Sequence, residues 1–118
     1  MTSRSETPSR VIDASAVVEL LMVSERAALV EQAIRHVRII APDSINPEVL
    51  QSIRGIERSG AVGGARAGEM VEDFLSMSLT RMPTFGLMGD AWSLRSNVSA
   101  YDACYVALAR ELTAELIT

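Results

Sequence analysis

RVIDASAVVELL, residues 10–21, indicates the fold, because it has the pattern of a buried β-strand that runs directly into a helix. β-Branched residues precede Asp13, and Ser15 is the expected N-cap of a helix whose apolar residues share one face. Burying an ionised carboxylate without a partner costs several kcal/mol, so Asp13 at the join requires pairing, protonation or metal ligation. The local alternative is that Asp13 itself caps the helix.

The rest of the chain alternates short apolar segments with segments of helical period. Strands are predicted at 37–42, 79–83 and 115–118, and helices at 25–36, 44–60, 66–79, 86–96 and 99–112. This alternation predicts an α/β fold, a three-layer α/β/α sandwich around a mostly parallel sheet of four or five strands. Ligands bind at the carboxyl ends of the strands in such sheets, so a site is expected at that edge.

The helix over 44–60 has the clearest start signal in the chain. Asn46 is the predicted N-cap, Pro47 occupies the first helical position, and Glu48 lies in the first turn. GAVGGA at 60–65 then interrupts the helical pattern, which predicts a hairpin between this helix and the next.

Composition limits the class of protein. The 118 residues suffice for one domain, placed at residues 10–118, and the polar stretch MTSRSETPS at 1–9 is expected to be a flexible leader. A single cysteine excludes an internal disulfide framework, and no apolar run is long enough to cross a bilayer, so a reducing cytoplasm is expected. The net charge of −4, with eleven Arg and no Lys, argues against a general nucleic-acid coat. It does not argue against a nuclease, whose metal site is made of carboxylates.

Three acids fall where a site would form at the sheet edge: Asp13 after the first strand, and Glu48 and Asp102 each in the first turn of a helix. They are far apart in the sequence, so only the fold could bring them together. Besides the capping alternative for Asp13, local alternatives remain open for the other two. Acids are favoured at helix N-termini by a few tenths of a kcal/mol, which is enough to explain Glu48. Ser99 and Asp102 fit a capping box in the segment SAYD.

VIDASAVVELL, NPEVLQSIR and SAYDACYVALAREL occur in the order and approximate spacing found in PIN-domain ribonucleases, and residues 10–118 resemble the VapC toxins of toxin–antitoxin pairs. The resemblance implies a PIN-like sandwich that hydrolyses RNA phosphodiesters. It also implies that Asp13, Glu48 and Asp102 are catalytic ligands of Mg²⁺ or Mn²⁺, with Ser15 as a hydrogen-bonding neighbour. Hard cations prefer such oxygen ligands, and a bound cation would compensate the charge of Asp13.

The same resemblance implies partners. These are an RNA substrate, a VapB-type antitoxin that holds the toxin silent, and a second copy of the chain. We expect a homodimer formed through the helical hairpin at 46–79, and a groove that accepts an apolar antitoxin segment with an Arg reaching the acids. No membrane partner is expected.

The C-terminal end departs from the family pattern. VapC-like sequences continue after the last strand with Thr-x-Asp, whereas this sequence stops at Thr118, which is expected beside the site. We therefore expect a domain cut short before a fourth acid. The alternative function is a PIN-fold partner-binding module with impaired catalysis. A receiver-like phosphoacceptor domain is disfavoured, because it would need an adjacent acidic pair and a Lys, and the chain has no Lys.

The remaining distinctive side chains are assigned structural roles. Asp90 is expected to be a surface acid. His36 is expected to end a helix and not to act as a catalytic base, since a base without a nearby nucleophile has no mechanism. Packing, rather than catalysis or base stacking, is expected for Cys104, Trp92, Tyr101 and Tyr105.

Overall fold

The computed structural model describes residues 7–118, which form four strands and six α-helices. The strands are β1 (Ser9–Ile12), β2 (Arg38–Pro42), β3 (Leu79–Met82) and β4 (Glu115–Ile117). The helices are α1 (Ala14–Met22), α2 (Ala27–Ile34), α3 (Ile45–Arg58), α4 (Gly64–Ser76), α5 (Met88–Ser93) and α6 (Ala100–Leu112), with a 3-10 turn (Phe85–Leu87) before α5. Each predicted strand and helix is present, with ends that differ by a few positions. Most of the predicted leader lies outside the described residues, so the division at residue 10 stays a prediction.

The four strands form one parallel sheet in the order β3-β2-β1-β4. In β1, Val11 pairs with Ile40 of β2 on one side and with Leu116 of β4 on the other. Because the strands run in one direction, their carboxyl ends lie along one edge. The backbone N–H of Asp13, directly after β1, donates to the carbonyl oxygen of Ile117 at 3.0 Å. This bond ties the end of β1 to the end of β4.

Helices cover the sheet, as a sandwich requires. α1 packs against α2, α3 and α4, whereas α6 packs against β1 and β2 and also contacts α5. Val11 and Ile12 of β1 are fully buried, which places the core around this strand. The predicted hairpin is present: α3 and α4 are in contact, and Gly60 in their loop has φ +83°, a conformation that favours glycine. The α/β/α prediction is confirmed, with four strands in the described part of the chain.

Asp13 caps α1, so the prediction of Ser15 as the N-cap was wrong. Asp13 has an extended backbone (φ −97°, ψ 172°), and its Oδ1 accepts a hydrogen bond from the N–H of Ala16 at 3.0 Å. The chain leaves β1 at Ile12 and enters the helix at once, so the first residue after the strand takes the cap position. The capping alternative for Asp13 therefore holds, whatever else its carboxylate does.

The predicted N-cap of α3 was also wrong, because the helix begins at Ile45 and Asn46 lies inside its first turn. Ser44 occupies the cap position with a backbone that is already helical (φ −61°, ψ −16°). Asn46 Oδ1 instead accepts a hydrogen bond from Arg81 Nε at 2.6 Å, and the Arg81 guanidinium lies 5.0 Å from the centre of the Phe74 ring. A long-range contact thus uses the side chain that local rules assigned to capping.

Two of the three aromatic packing predictions were wrong. Tyr105 is 2% exposed and belongs to the core, but Trp92 is 67% exposed and Tyr101 is 61% exposed. α5 is only six residues long and buries Ala91. Successive helical residues point in different directions, so Trp92 lies away from the face of α5 on which Ala91 is buried.

The other structural assignments agree with the structure. Cys104 is buried, and this burial raises the pKa of its thiol. Asp90 is exposed on α5, and His36 is exposed in the turn after α2, with φ +62°. Within residues 7–118, no helix combines the length and the apolar character needed to cross a membrane.

Candidate functional site

One cavity of about 800 Å³ lies at the carboxyl edge of the sheet, and we call it the acid cavity. Residues that follow β1 and β4 line it, together with the first turns of α3 and α6. All five residues predicted for the site are part of this lining: Asp13, Ser15, Glu48, Asp102 and Thr118. The fold therefore gathers acids that are distant in the sequence. Their catalytic and metal-binding roles stay predictions.

Asp13 stabilises the start of α1 through one of its two carboxylate oxygens. Oδ1 accepts hydrogen bonds from the N–H of Ala16 at 3.0 Å and from the Ser15 hydroxyl at 2.8 Å. Within residues 7–118, Oδ2 accepts none. Capping and ligand binding are therefore compatible at this residue.

Glu48 is partly buried, and the Tyr105 hydroxyl donates a hydrogen bond to its Oε2 at 3.1 Å. Burial raises the pKa of Glu48, and the charges of Asp102 and Asp13 raise it further, while the bond from Tyr105 opposes the shift. Glu48 is thus close enough to Asp102 and Asp13 for their charges to act on it. The buried Ser44 hydroxyl makes no hydrogen bond to any described residue.

Tyr105 is a site residue that sequence reasoning missed. Burial and the neighbouring Glu48 carboxylate raise the pKa of the Tyr105 hydroxyl, so this group stays protonated and can donate its hydrogen bond. The available signal was its spacing from Asp102, because residues three apart lie on one helical face. A buried tyrosine on that face needs a polar partner for its hydroxyl.

Asp102 lies in the first turn of α6, where only half of the predicted capping box forms. Ser99 is the N-cap, and its hydroxyl oxygen accepts a hydrogen bond from the Asp102 N–H at 3.2 Å. In the described part of the chain, the Asp102 carboxylate accepts no hydrogen bond in return. Capping therefore uses the backbone of Asp102 and leaves its carboxylate on the lining of the acid cavity.

The donor set of the acid cavity suits a hard divalent cation. Three carboxylates line it, and oxygen ligands of this kind are those that Mg²⁺ and Mn²⁺ prefer. Burial is the main cause of the raised pKa of Glu48, and the charges of Asp102 and Asp13 add to it; a cation would relieve this repulsion. Across residues 7–118, however, no three or more His, Cys, Asp or Glu side chains are grouped so as to hold a metal ion. The acids share a cavity without forming a closed cage.

No protein-family model matches the chain, but curated relatives do. It is 33% identical over 108 residues to ribonuclease VapC9 of Mycobacterium tuberculosis, covering 92% of this chain and 83% of the relative. It is 34% identical over 108 residues to ribonuclease VapC12 of the same organism, covering 92% and 84%. Ribonuclease VapC3 is 33% identical over 109 residues, covering 92% and 80%.

The fold also has a counterpart among solved structures. The crystal structure of M. tuberculosis VapC20, a sarcin-ricin loop cleaving toxin, matches with a TM-score of 0.65 and 18% identity, covering 88% of this chain and 83% of that one. At this identity the match supports the fold, and the curated relatives establish the family. These relatives are named as ribonucleases, which does not favour the binding-module alternative. The chain therefore belongs to the VapC family of PIN-domain ribonucleases.

Proposed function

We propose that this protein is a metal-dependent endoribonuclease that hydrolyses RNA phosphodiesters, with Asp13, Glu48 and Asp102 as ligands of Mg²⁺ or Mn²⁺. The observation that carries the proposal is that these acids line one cavity in a chain whose relatives are ribonucleases. When bound, the cations supply an activated water and neutralise phosphate charge during in-line attack.

The chain's own residues prepare the cavity for this chemistry. Ser15 orients the Asp13 carboxylate through Oδ1 and leaves Oδ2 for a ligand. Tyr105 holds one oxygen of Glu48 in a fixed direction. Preorganised carboxylates bind a cation without the entropic cost of ordering their side chains at that moment.

An exposed loop of a folded RNA is the substrate class to test first. VapC20, whose fold this chain shares, is described as a toxin that cleaves the sarcin-ricin loop. A loop also suits a protein that must reach a single phosphodiester, because unpaired nucleotides can be splayed away from their neighbours.

The decisive test is cleavage of a fluorescently labelled loop RNA by the purified chain. We expect cleavage with Mg²⁺ or Mn²⁺, loss of cleavage in EDTA, and recovery when excess Mn²⁺ is added. Cleavage that persists in EDTA contradicts the metal mechanism. The binding-module alternative predicts no cleavage by the native chain under any of these conditions.

Asp13→Asn is the matched control for contaminating nucleases. Asn is as good an N-cap as Asp, so the variant keeps the start of α1 while losing the charge that a metal needs. We expect its cleavage rate to fall by at least about 100-fold with little change in melting temperature. A native rate in Asp13→Asn would remove this residue from the proposed site.

The proposal includes two protein partners, a second copy of the chain and an antitoxin, and a location in the cytoplasm. The α3–α4 hairpin exposes Leu50 and Leu75, which supports self-association through this region. A VapB-type antitoxin keeps the toxin silent in the cytoplasm, where its RNA target lies. Light scattering at tens of micromolar tests the homodimer, and a strictly monomeric protein contradicts it. Suppression of cleavage by the co-expressed antitoxin tests the other partner.

A further inference from the structure

A second cavity of about 570 Å³ lies beside the acid cavity, where α5 meets the start of α6. Met88, Trp92, Arg95 and Tyr101 contribute to its lining, and we call these four residues the aromatic cleft. Tyr101 lines the acid cavity as well, so the two cavities adjoin at this side chain. The chemistry proposed for the acids gives the cleft no role.

Aromatic side chains are scarce in this protein, and two of the exposed ones, Trp92 and Tyr101, belong to the cleft. The chain contains one Trp, two Tyr and two Phe. Trp92 is 67% exposed, Tyr101 61% and Phe85 89%. Leaving rings of this size in water forgoes the stabilisation that their burial would provide. Exposed rings that line the same cavity, as Trp92 and Tyr101 do, are common at interaction sites.

Arg95 adds a positive charge to the cleft. Its guanidinium carbon lies 4.5 Å from the centre of a Trp92 ring, and its Nη1 donates a hydrogen bond to the Trp92 carbonyl oxygen at 3.1 Å. No carboxylate within residues 7–118 forms an ion pair with Arg95. The cleft therefore presents accessible aromatic surface together with a cation that has no acidic partner in the described chain.

We propose that the aromatic cleft is a nucleobase subsite, in which an unpaired base beside the cleaved phosphodiester stacks on Trp92 while Arg95 contacts a phosphate. The subsite rests on the proposed function, since it holds the RNA that the acids cleave. RNA is the occupant because a nucleotide brings a flat apolar face and an anion together. A protein segment over the cleft would desolvate Arg95 and would have to bring an acid for it.

The position of the aromatic cleft also supports RNA as its occupant. Tyr101 belongs to the lining of both cavities, so the cleft lies next to the cavity in which a phosphodiester would reach the acids. Base stacking on aromatic rings tolerates any base, so the subsite strengthens binding of unpaired RNA without reading its sequence.

Trp92 is the only tryptophan, so intrinsic fluorescence reports on the cleft directly. The probes are the loop RNA and a matched RNA with abasic residues on both sides of the cleaved bond, each added to the Asp13→Asn protein so that the RNA survives. Stacking predicts quenching by the loop RNA and much weaker quenching by the abasic RNA. Equal changes with the two RNAs, or none at saturating RNA, would overturn the subsite.

Kinetics of the native enzyme provide a second test, with Phe85→Ala as the matched control because Phe85 is exposed but lies outside the cleft lining. Trp92→Ala should raise KM for the loop RNA about tenfold and leave kcat within about twofold, because stacking holds the substrate without taking part in the reaction. Trp92→Phe should restore KM, since it keeps a ring. A native KM in Trp92→Ala contradicts the proposal.

The results of these two tests distinguish a failure of the nucleobase subsite from a failure of the proposed function. Quenching by RNA without cleavage by the native chain supports nucleobase binding and contradicts the enzyme. Cleavage without quenching retains the enzyme and overturns the subsite. If Trp92→Ala instead dissolves a dimer seen by light scattering while KM stays native, the cleft is a contact between two copies, and the nucleobase assignment is wrong.

Discussion

The acid cavity and the aromatic cleft adjoin at Tyr101, yet they are built in opposite ways. The acid cavity collects side chains from distant elements and positions two of its acids by hydrogen bonds, from Ser15 to Asp13 and from Tyr105 to Glu48. The aromatic cleft comes from one short helix and the start of the next, and its rings are exposed. Hydrolysis needs groups held in fixed directions, whereas stacking needs only an accessible face.

The largest expected effect comes from Asp102→Asn, with Asp90→Asn as its matched control. Both acids lie in the first turn of a helix, but only Asp102 lines the acid cavity. We expect Asp102→Asn to lower the cleavage rate by at least about 100-fold, because a metal ligand loses its charge. Both variants should melt within about 2 °C of the native protein, since each loses the same helix-end charge. Initial rates and thermal melts check this.

The opposite pattern would contradict the role assigned to Asp102. If Asp102→Asn melts several degrees lower while its cleavage rate stays native, the Asp102 carboxylate stabilises the start of α6 and is not a metal ligand. If Asp90→Asn loses as much activity as Asp102→Asn, the loss reflects the overall charge of the protein rather than the acid cavity.

A smaller effect is expected when one hydroxyl is removed from either region. Tyr105→Phe deletes the hydrogen bond to Glu48, whereas Tyr101→Phe keeps the ring in the cleft. We expect Tyr105→Phe to lose about 1 kcal/mol of stability and to cleave about tenfold more slowly, with more Mn²⁺ needed for half-maximal rate. Tyr101→Phe should stay within about twofold of the native rate, since it keeps the ring that lines both cavities. A native Mn²⁺ requirement in Tyr105→Phe would mean that the bond to Glu48 does not position a ligand.

The smallest effect is the thermal stability of Glu48→Gln without metal. The pKa of Glu48 is raised above 4.5, mainly by burial, so the folded state holds this proton more tightly than the unfolded chain. That contribution to stability is full below pH 4.5 and is lost as the pH rises through the folded-state pKa. At pH 7 in EDTA, Glu48→Gln should therefore melt about 1–3 °C above the native protein, and the difference should close as the pH falls.

Melting curves in EDTA between pH 4 and pH 8 check the sign of this effect. Adding Mn²⁺ should reverse the order, because only the native protein keeps the full set of ligands and gains stability by binding. A Glu48→Gln protein that melts lower at neutral pH would show that the Tyr105 hydrogen bond to a charged acceptor outweighs the cost of the charge.

Periodicity predicted the strands and helices because the apolar residues that bury one face of each element recur at short, regular spacing in the sequence. Local capping preferences, in contrast, placed two helix N-caps wrongly, at Ser15 and Asn46. The side chain of each of these residues makes a different contact. Ser15 donates to Asp13, and Asn46 accepts from Arg81, which is 35 positions away. Local capping rules do not include such competitors, so the ends of helices were predicted less well than their existence.

The amino-acid sequence was enough to predict the alternation of strands and helices, the position of three acids at the ends of these elements, and the resemblance to a ribonuclease family. The structure was needed to show that the three acids line one cavity, that Tyr105 donates to Glu48, and that Trp92 stays exposed beside them. Strand and helix periodicity depends on residues a few positions apart. Cavities, long-range hydrogen bonds and exposed rings depend instead on how segments distant in the sequence pack together.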